Sequence, residues 1–472
     1  MCMKKGNKKP EIVIEEISQF NQDMLFDHLS DLKGFVYLDG QMDSRWSRFS
    51  VMAFDPFASF VCSQFVQTFS MGGKKDILTG CPFENLDKKI QLYAVEEHLE
   101  GMPFLGAAIG FVSYDASMVS LPLKIKQSGF PEMQFGFYDR YVVFDHKAQK
   151  SYWVQLGILG KKRPFRGFLE IMCDYKAIEN PFDVTKISPS LQKEDFYKSV
   201  KKIQKHIKEG DCYQVNFSYG FEAHYQGSLS TCYKMLRQHS PAPFSAFLNF
   251  DDITLLSASP ERFLKIDGQR IQTRPIKGTI RRGMDAKEDA LNQRVLLDSE
   301  KDRAELMMIV DLMRHDLGRI CELKSVDVVE LYELEAYAQV FHLVSTIEGE
   351  LLADISHSKA LKTLFPAGSI TGAPKLASAK IIDDLESLPR SAYTGSIGYI
   401  GFNGVSDFNV AIRSLYANET SLFYHTGGGI ALRVIWGLLW SLPPSIEAFI
   451  KRLRLSMSFA KIFTLRFLYR RL

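Results

Sequence analysis

Short apolar runs separated by turn signals fill the first 175 or so residues, and longer runs with helical spacing appear after them. Phe35-Val36-Tyr37-Leu38 and Tyr141-Val142-Val143-Phe144 are strand-like, with Asp55-Pro56 and Met71-Gly72-Gly73 as turns, so residues 11 to about 175 read as β-rich. Ile187-Ser188-Pro189-Ser190 reads as a linker. After it Phe196, Val200, Ile203 and Ile207 share one face of a predicted helix that Gly210 stops. Tyr213, Val215, Phe217 and Tyr219 then alternate with Gln214, Asn216 and Ser218, which predicts a strand with one polar face able to look into a cavity. Further helix is expected over about 287–314 and 356–364, and strands over about 396–402 and 422–425. No internal repeat is visible. Strand runs and long helices without regular strand-helix alternation predict an α+β fold rather than a doubly wound sheet.

Composition narrows the class of protein. A chain of 472 residues, 46% apolar and 24% charged, is a soluble globular composition large enough for one big domain or two ordinary ones. The seven cysteines are scattered without a C-x-x-C pair, which argues against a disulfide framework or a zinc site and favours a reducing cytoplasm. Residues 1–10 are basic but lack the apolar core of a signal peptide, and no stretch approaches the roughly 18 apolar residues of a membrane helix. The net charge of +3 is uneven: residues 433–472 carry eight Lys/Arg against Glu447, a tail of +7, which leaves −4 for the rest. A mildly acidic body gives no reason to expect nucleic acid as a partner.

Pro275-Ile276-Lys277-Gly278-Thr279 lies downstream of Ser259-Pro260-Glu261-Arg262, with Glu261 sixteen positions before Lys277. A lysine flanked by glycine and proline at a strand edge is either a solvated cation or a neutralised amine able to attack, and Glu261 is either an ion-pair partner of Arg262 or Arg274 or a buried acid. Other blocks stand around these two. They are Gly210-Asp211-Cys212-Tyr213-Gln214-Val215-Asn216, Asp302-Arg303-Ala304-Glu305-Leu306 running into Val310-Asp311-Leu312, and Phe341-His342-Leu343-Val344-Ser345. Gly368 to Lys375, Asn409-Val410-Ala411-Ile412-Arg413 and Gly427-Gly428-Gly429-Ile430 follow.

Through these blocks, over about residues 190 to 430, the chain resembles the chorismate-utilising enzymes. That resemblance implies a sandwich of large antiparallel sheets with helices outside. It also implies an N-terminal β-rich subdomain over 1–185 like that of anthranilate synthase component I, a chorismate-binding catalytic domain over 190–431, and a tail over 432–472 outside the family pattern. Lysine within Pro-Ile-Lys-Gly-Thr is similar to the aminodeoxychorismate synthases, where anthranilate synthases usually have alanine. The implied activity is therefore that of component I of the former, amination of chorismate at carbon 4 for para-aminobenzoate and folate. Lys277 would add at ring carbon 2 as the 4-hydroxyl leaves, Glu261 would protonate that hydroxyl, and ammonia would then add at carbon 4. The alternatives are anthranilate synthase component I, which Lys277 argues against, and a non-catalytic homologue that retains partner or tryptophan binding.

Gln214 stands where isochorismate and salicylate synthases usually place a water-activating lysine, and a neutral amide cannot do that work. Arg413 is expected to hold a substrate carboxylate bidentately and the amides of Gly427 and Gly428 to cradle another, while Thr371, Tyr399 and His342 match positions near the ring. Glu305 matches one carboxylate of the family's Mg2+ site, but magnesium needs several oxygen ligands. The family's further glutamates should fall near 439–442, where this chain has Leu439, Trp440, Ser441 and Leu442. Ser47-Arg48-Phe49 and Pro243-Phe244 resemble pieces that enclose a bound tryptophan in relatives, although Asp39 stands where relatives often have serine. No Gly-x-Cys-x-Gly glutaminase region is present, so nitrogen is expected from free ammonia or a partner glutamine amidotransferase subunit, with no membrane association.

Overall fold

The computed structural model describes residues 11–17, 20–41, 45–158, 181–185, 187–250 and 252–432. From residue 433 the expected tail lies outside the described residues, as do positions 439–442. Among the described residues two large sheets, of 13 and 12 strands, carry nearly all the strand structure, and every pairing in them is antiparallel. Helices cover their outer faces, as an α+β sandwich requires.

Both sheets are assembled from both halves of the chain. In the larger one Phe35–Asp39 pairs with Phe244–Phe250, so Val36 stands opposite Leu248. In the smaller one Ala107–Val112 pairs with Ser396–Gly401, with Ile109 opposite Tyr399. Between the sheets Val36, Val51, Leu248 and Leu255 from one side meet Ile109, Phe111 and Ile397 from the other in a single buried cluster. Each fully buried aliphatic or aromatic side chain there contributes about 1.5–3 kcal/mol. The composition change near residue 187 is thus a change in element type and not a gap between two cores. Ser188–Pro189, expected as linker, pairs with Glu222 and Phe221, and the Ser190 amide donates to the Gly220 carbonyl.

Lys193–Glu209 is helical with Phe196, Val200 and Ile203 buried, and Gly210 closes it in the left-handed conformation at φ +85°, where a side chain would be strained. The expected helix over 287–314 is two helices, Ala286–Leu297 and Glu300–Gly318. Ser299 separates them, its side chain accepting from the Asp302 amide as an N-cap. Ser356 caps His357–Leu364 in the same way. Among the described residues no helix is long and apolar enough to cross a membrane, and all five described cysteines are free.

Candidate active site

Lys277 lies on Ile276–Arg281, which pairs with Val340–Glu350 through a bulge between Lys277 and Thr279. Gly278 makes the bulge possible, since it sits at φ +67° with room for no more than a hydrogen: a Cβ there would stand 3.0 Å from that of Asp302. Lys277 Nζ donates to the Ser369 carbonyl at 2.7 Å, and the Ser369 hydroxyl donates to Glu261 Oε1 at 2.5 Å. One residue therefore bridges the amine and the acid. Glu261 follows Ile253–Ser259, its amide held by Ser259 Oγ at 3.2 Å.

Burial pushes the Glu261 carboxyl up to about 7, against the opposing pull of Ser369, Lys277 and the Ile276 amide. Burial also lowers Lys277, while Glu261 and Glu305 pull it back. The two groups are thereby brought toward the forms acid and amine require, a protonated carboxyl and an uncharged nitrogen.

Across from them is a wall built by Gln214–Gln226 and Ser421–Ile430, with Asn216 opposite Gly429, Ser218 opposite Gly427 and Gly220 opposite His425. Alternation puts Gln214, Asn216, Gly427, Gly429 and His425 on one face. The Gln214 amide lies over Gly429, where a Cβ would be 1.9 Å from Nε2. Both polar atoms of Gln214, Nδ2 of Asn216 and Nδ1 of His425 are buried without a hydrogen-bond partner within the protein, so this face has capacity for a polar ligand. The wall joins the lysine through the chain itself, because the Asn216 amide donates to the Thr371 carbonyl at 2.9 Å, two residues beyond Ser369.

Ser414–Ala417 pairs with Ser421–Ile430 only over Leu415↔Tyr424 to Ala417↔Leu422. Beyond that the outer edge faces no strand among the described residues, and the Gly427 amide, which alternation turns outward, can meet an anion, whereas the Gly428 amide, expected beside it, faces the Phe217 carbonyl of the neighbouring strand. Arg413 precedes Ser414 at φ +51°, a conformation rare outside glycine. Its Nη2 donates to His342 Nε2 at 2.9 Å. A guanidinium only donates, so His342 Nε2 accepts and Nδ1 carries the proton, directed at Thr279 Oγ1 at 2.9 Å. Burial and the adjacent Arg413 hold His342 down to about 3, and it stays neutral. Arg413 forms no ion pair among the described residues, which leaves its charge for a ligand.

Thr371 and Tyr399, both expected near the ring, are placed differently. Thr371 is buried, with its hydroxyl donating to the Ala367 carbonyl at 2.9 Å. Tyr399 stands apart from Lys277: it packs on Phe104 at 4.6 Å and lines a separate cavity of about 790 Å³ with Ser47, Arg48, Phe49, Pro243 and Phe244. Its parity on Ser396–Gly401 turns it, with Ile397, toward that side. Tyr393, missed in the sequence, lies nearer the wall, stacked on His425 at 5.4 Å. The signal was available, since both tyrosines flank Gly395 and Gly398, but nothing local says which one packs where. Arg48 in the second cavity is paired with Asp145 at 2.7 Å. Asp39 on its rim accepts from Tyr37 at 2.8 Å, Tyr233 at 3.0 Å and Arg237 at 2.8 Å, which is how a buried carboxylate is tolerated where a serine was expected.

Glu305, on the Glu300–Gly318 helix, is close enough to Lys277 to influence it and pairs with Lys301 at 3.8 Å. No second and third oxygen ligand gathers about it among the described residues. The one such grouping, His206, Glu209 and Asp211, lies at the exposed end of another helix. The described residues do not complete a magnesium site.

The model of the chorismate binding enzymes matches residues 33–433, across both halves of the chain. Aminodeoxychorismate synthase component 1 of Escherichia coli is 37% identical over 410 residues, covering 86% of this chain and 90% of that protein. Anthranilate synthase component 1 of Bacillus subtilis is 29% identical over 82% of this chain and 80% of that protein. The crystal structure of anthranilate synthase component I from Streptococcus pneumoniae superposes with a TM-score of 0.74 at 29% identity, covering 88% of this chain and 93% of that one.

Proposed function

Because the chain belongs to the family of chorismate binding enzymes, we propose that it aminates chorismate at ring carbon 4, as component I of an aminodeoxychorismate synthase. The observation that carries this reading is the Lys277–Ser369–Glu261 bridge. Lys277 Nζ adds to carbon 2 of the ring while the carbon 4 hydroxyl departs with the Glu261 proton. Ammonia then adds at carbon 4, the double bond shifts back, and Nζ leaves from carbon 2, so that hydroxyl is exchanged for amine and the lysine is regenerated. Arg413 and the outward-facing Gly427 amide bind the substrate's two carboxylates, and Gln214 offers no base to activate water in place of ammonia.

The product is 4-amino-4-deoxychorismate, on the route to para-aminobenzoate and folate in the cytoplasm. A glutamine amidotransferase subunit supplies the ammonia. Mg2+ is the cofactor this family implies; among the described residues Glu305 is the carboxylate that would help hold it, and the ion would supply positive charge to a substrate carboxylate. The 790 Å³ cavity is the place for a tryptophan, against Ser47, Phe49, Pro243 and Phe244.

The test is product formation from chorismate, ammonia and magnesium by the whole chain, beside Lys277→Ala. Aminodeoxychorismate from the unaltered chain and none from the variant supports the reading. Fluorescent anthranilate from either makes it an anthranilate synthase. A chain that neither turns over nor binds magnesium, while one given a family-like acidic segment after Ile430 does both, is a homologue without activity of its own.

A further inference from the structure

Arg413 depends for its orientation on His342, and His342 depends in turn on a side chain from the opposite end of the chain. The His342 ring is fixed by Thr279 on one nitrogen and by the edge of Tyr337, at 5.0 Å and 76°. The Tyr337 hydroxyl donates to Glu335 Oε2 at 3.0 Å. The other oxygen, Oε1, accepts from Arg274 Nη2 at 2.6 Å and from the indole N–H of Trp46 at 2.8 Å. Trp46 also lays its ring 3.6 Å from the Arg274 guanidinium, a cation–π contact that screens a buried charge. Arg274 itself ends the strand that leads, through Pro275, into the one bearing Lys277.

Resting on the chorismate reading above, we propose that Trp46 is a positioning residue for substrate binding. By holding Glu335 against Arg274, it fixes Tyr337 and His342 and so aims Arg413 at the substrate carboxylate. Trp46 lines the 790 Å³ cavity, which puts one end of this relay beside water and the other at the candidate active site. Without the indole, Glu335 Oε1 keeps only the Arg274 donor, and the carboxylate is less firmly fixed in its plane. Tyr337 then loses the nearer of its two acceptors and is left with the Pro260 carbonyl at 3.4 Å. A guanidinium that binds the same carboxylate before and during reaction contributes uniform binding, so its misalignment raises KM and leaves kcat in place.

The experiment is calorimetric titration of chorismate, with magnesium in the buffer, into the whole chain and into Trp46→Phe, Tyr337→Phe and the double variant. Trp46→Phe keeps an aromatic ring beside Arg274 while removing the N–H with the fused five-membered ring, and near-ultraviolet circular dichroism checks that each variant is folded. Loss of one aligned hydrogen bond to a charged group weakens chorismate binding about tenfold in each single variant. Because both act through Glu335, the double variant is expected to bind no more weakly than the poorer single one. In turnover, chorismate KM rises while ammonia KM and kcat hold. Folded variants that bind chorismate as the unaltered chain does, or whose effects multiply, overturn the relay. If the unaltered chain does not bind chorismate, the chorismate reading fails, and this inference with it.

Discussion

At the scale of single residues, the candidate site is made of groups in states that folding would not choose for stability. The Glu261 carboxyl, at about 7 in the folded chain, stands above its ordinary 4.5 because burial opposes its charge. Below about pH 4.5 both folded and unfolded chains hold that proton and nothing is lost. Between 4.5 and 7 the unfolded chain releases it first, so stability falls as pH rises. Glu261→Gln is therefore expected to gain roughly 1–3 kcal/mol above pH 7 and little at pH 4.5, read as urea midpoints at the two values. The same variant loses about 10²–10⁴ in rate, because no proton reaches the leaving hydroxyl. The unaltered chain should slow above pH 7, as the acid ionises. His342 and His425 act with the opposite sign: both are held down to about 3, against an ordinary 6.5, mainly by burial. Their contribution is complete above pH 6.5 and declines as pH falls toward 3, by up to about 1.4 kcal/mol per unit for each. His425→Phe should flatten the acid side of the stability profile.

At the scale of elements, two glycines on Ser421–Ile430 separate fold from function. A Cβ at Gly427 would meet the Phe217 carbonyl at 2.5 Å, whereas one at Gly429 would meet the Gln214 amide, the far end of a movable side chain. Gly427→Ala is expected to lower the melting temperature sharply, since backbone must move. Gly429→Ala should keep the fold and weaken chorismate binding by pushing Gln214 into the substrate space, a contrast that calorimetry and titration together read out. Elements like these were legible where one residue pattern sufficed. Phe196, Val200, Ile203 and Gly210 mark a helix and its stop, and the Gln214–Asn216 alternation marks a strand with a polar face. The break at Asp298–Ser299 was not, because helix-favouring residues continue on both sides and only the Ser299–Asp302 cap betrays it. Lys277, Glu261 and His342 were readable from motifs. Ser369 between the first two was not, since its role depends on two strands brought together by the fold. Trp46 and Glu335, 289 positions apart, left no local trace at all.

At the scale of the whole molecule, the two halves of the chain complete each other's sheets. Phe35–Asp39 finds its partner in Phe244–Phe250, and Ala107–Val112 finds one in Ser396–Gly401. Expressed alone, residues 11–185 expose both seams and are expected to show no cooperative unfolding transition, where the intact chain shows one. Ser421–Ile430 lies inside the larger sheet, between Ser414–Ala417 and Gln214–Gln226. During synthesis on the ribosome, that strand emerges about two hundred residues after the neighbour it must join. Until it arrives, the larger sheet stays split along its length with unpaired edges exposed, and nascent chains in this state invite chaperones and one another.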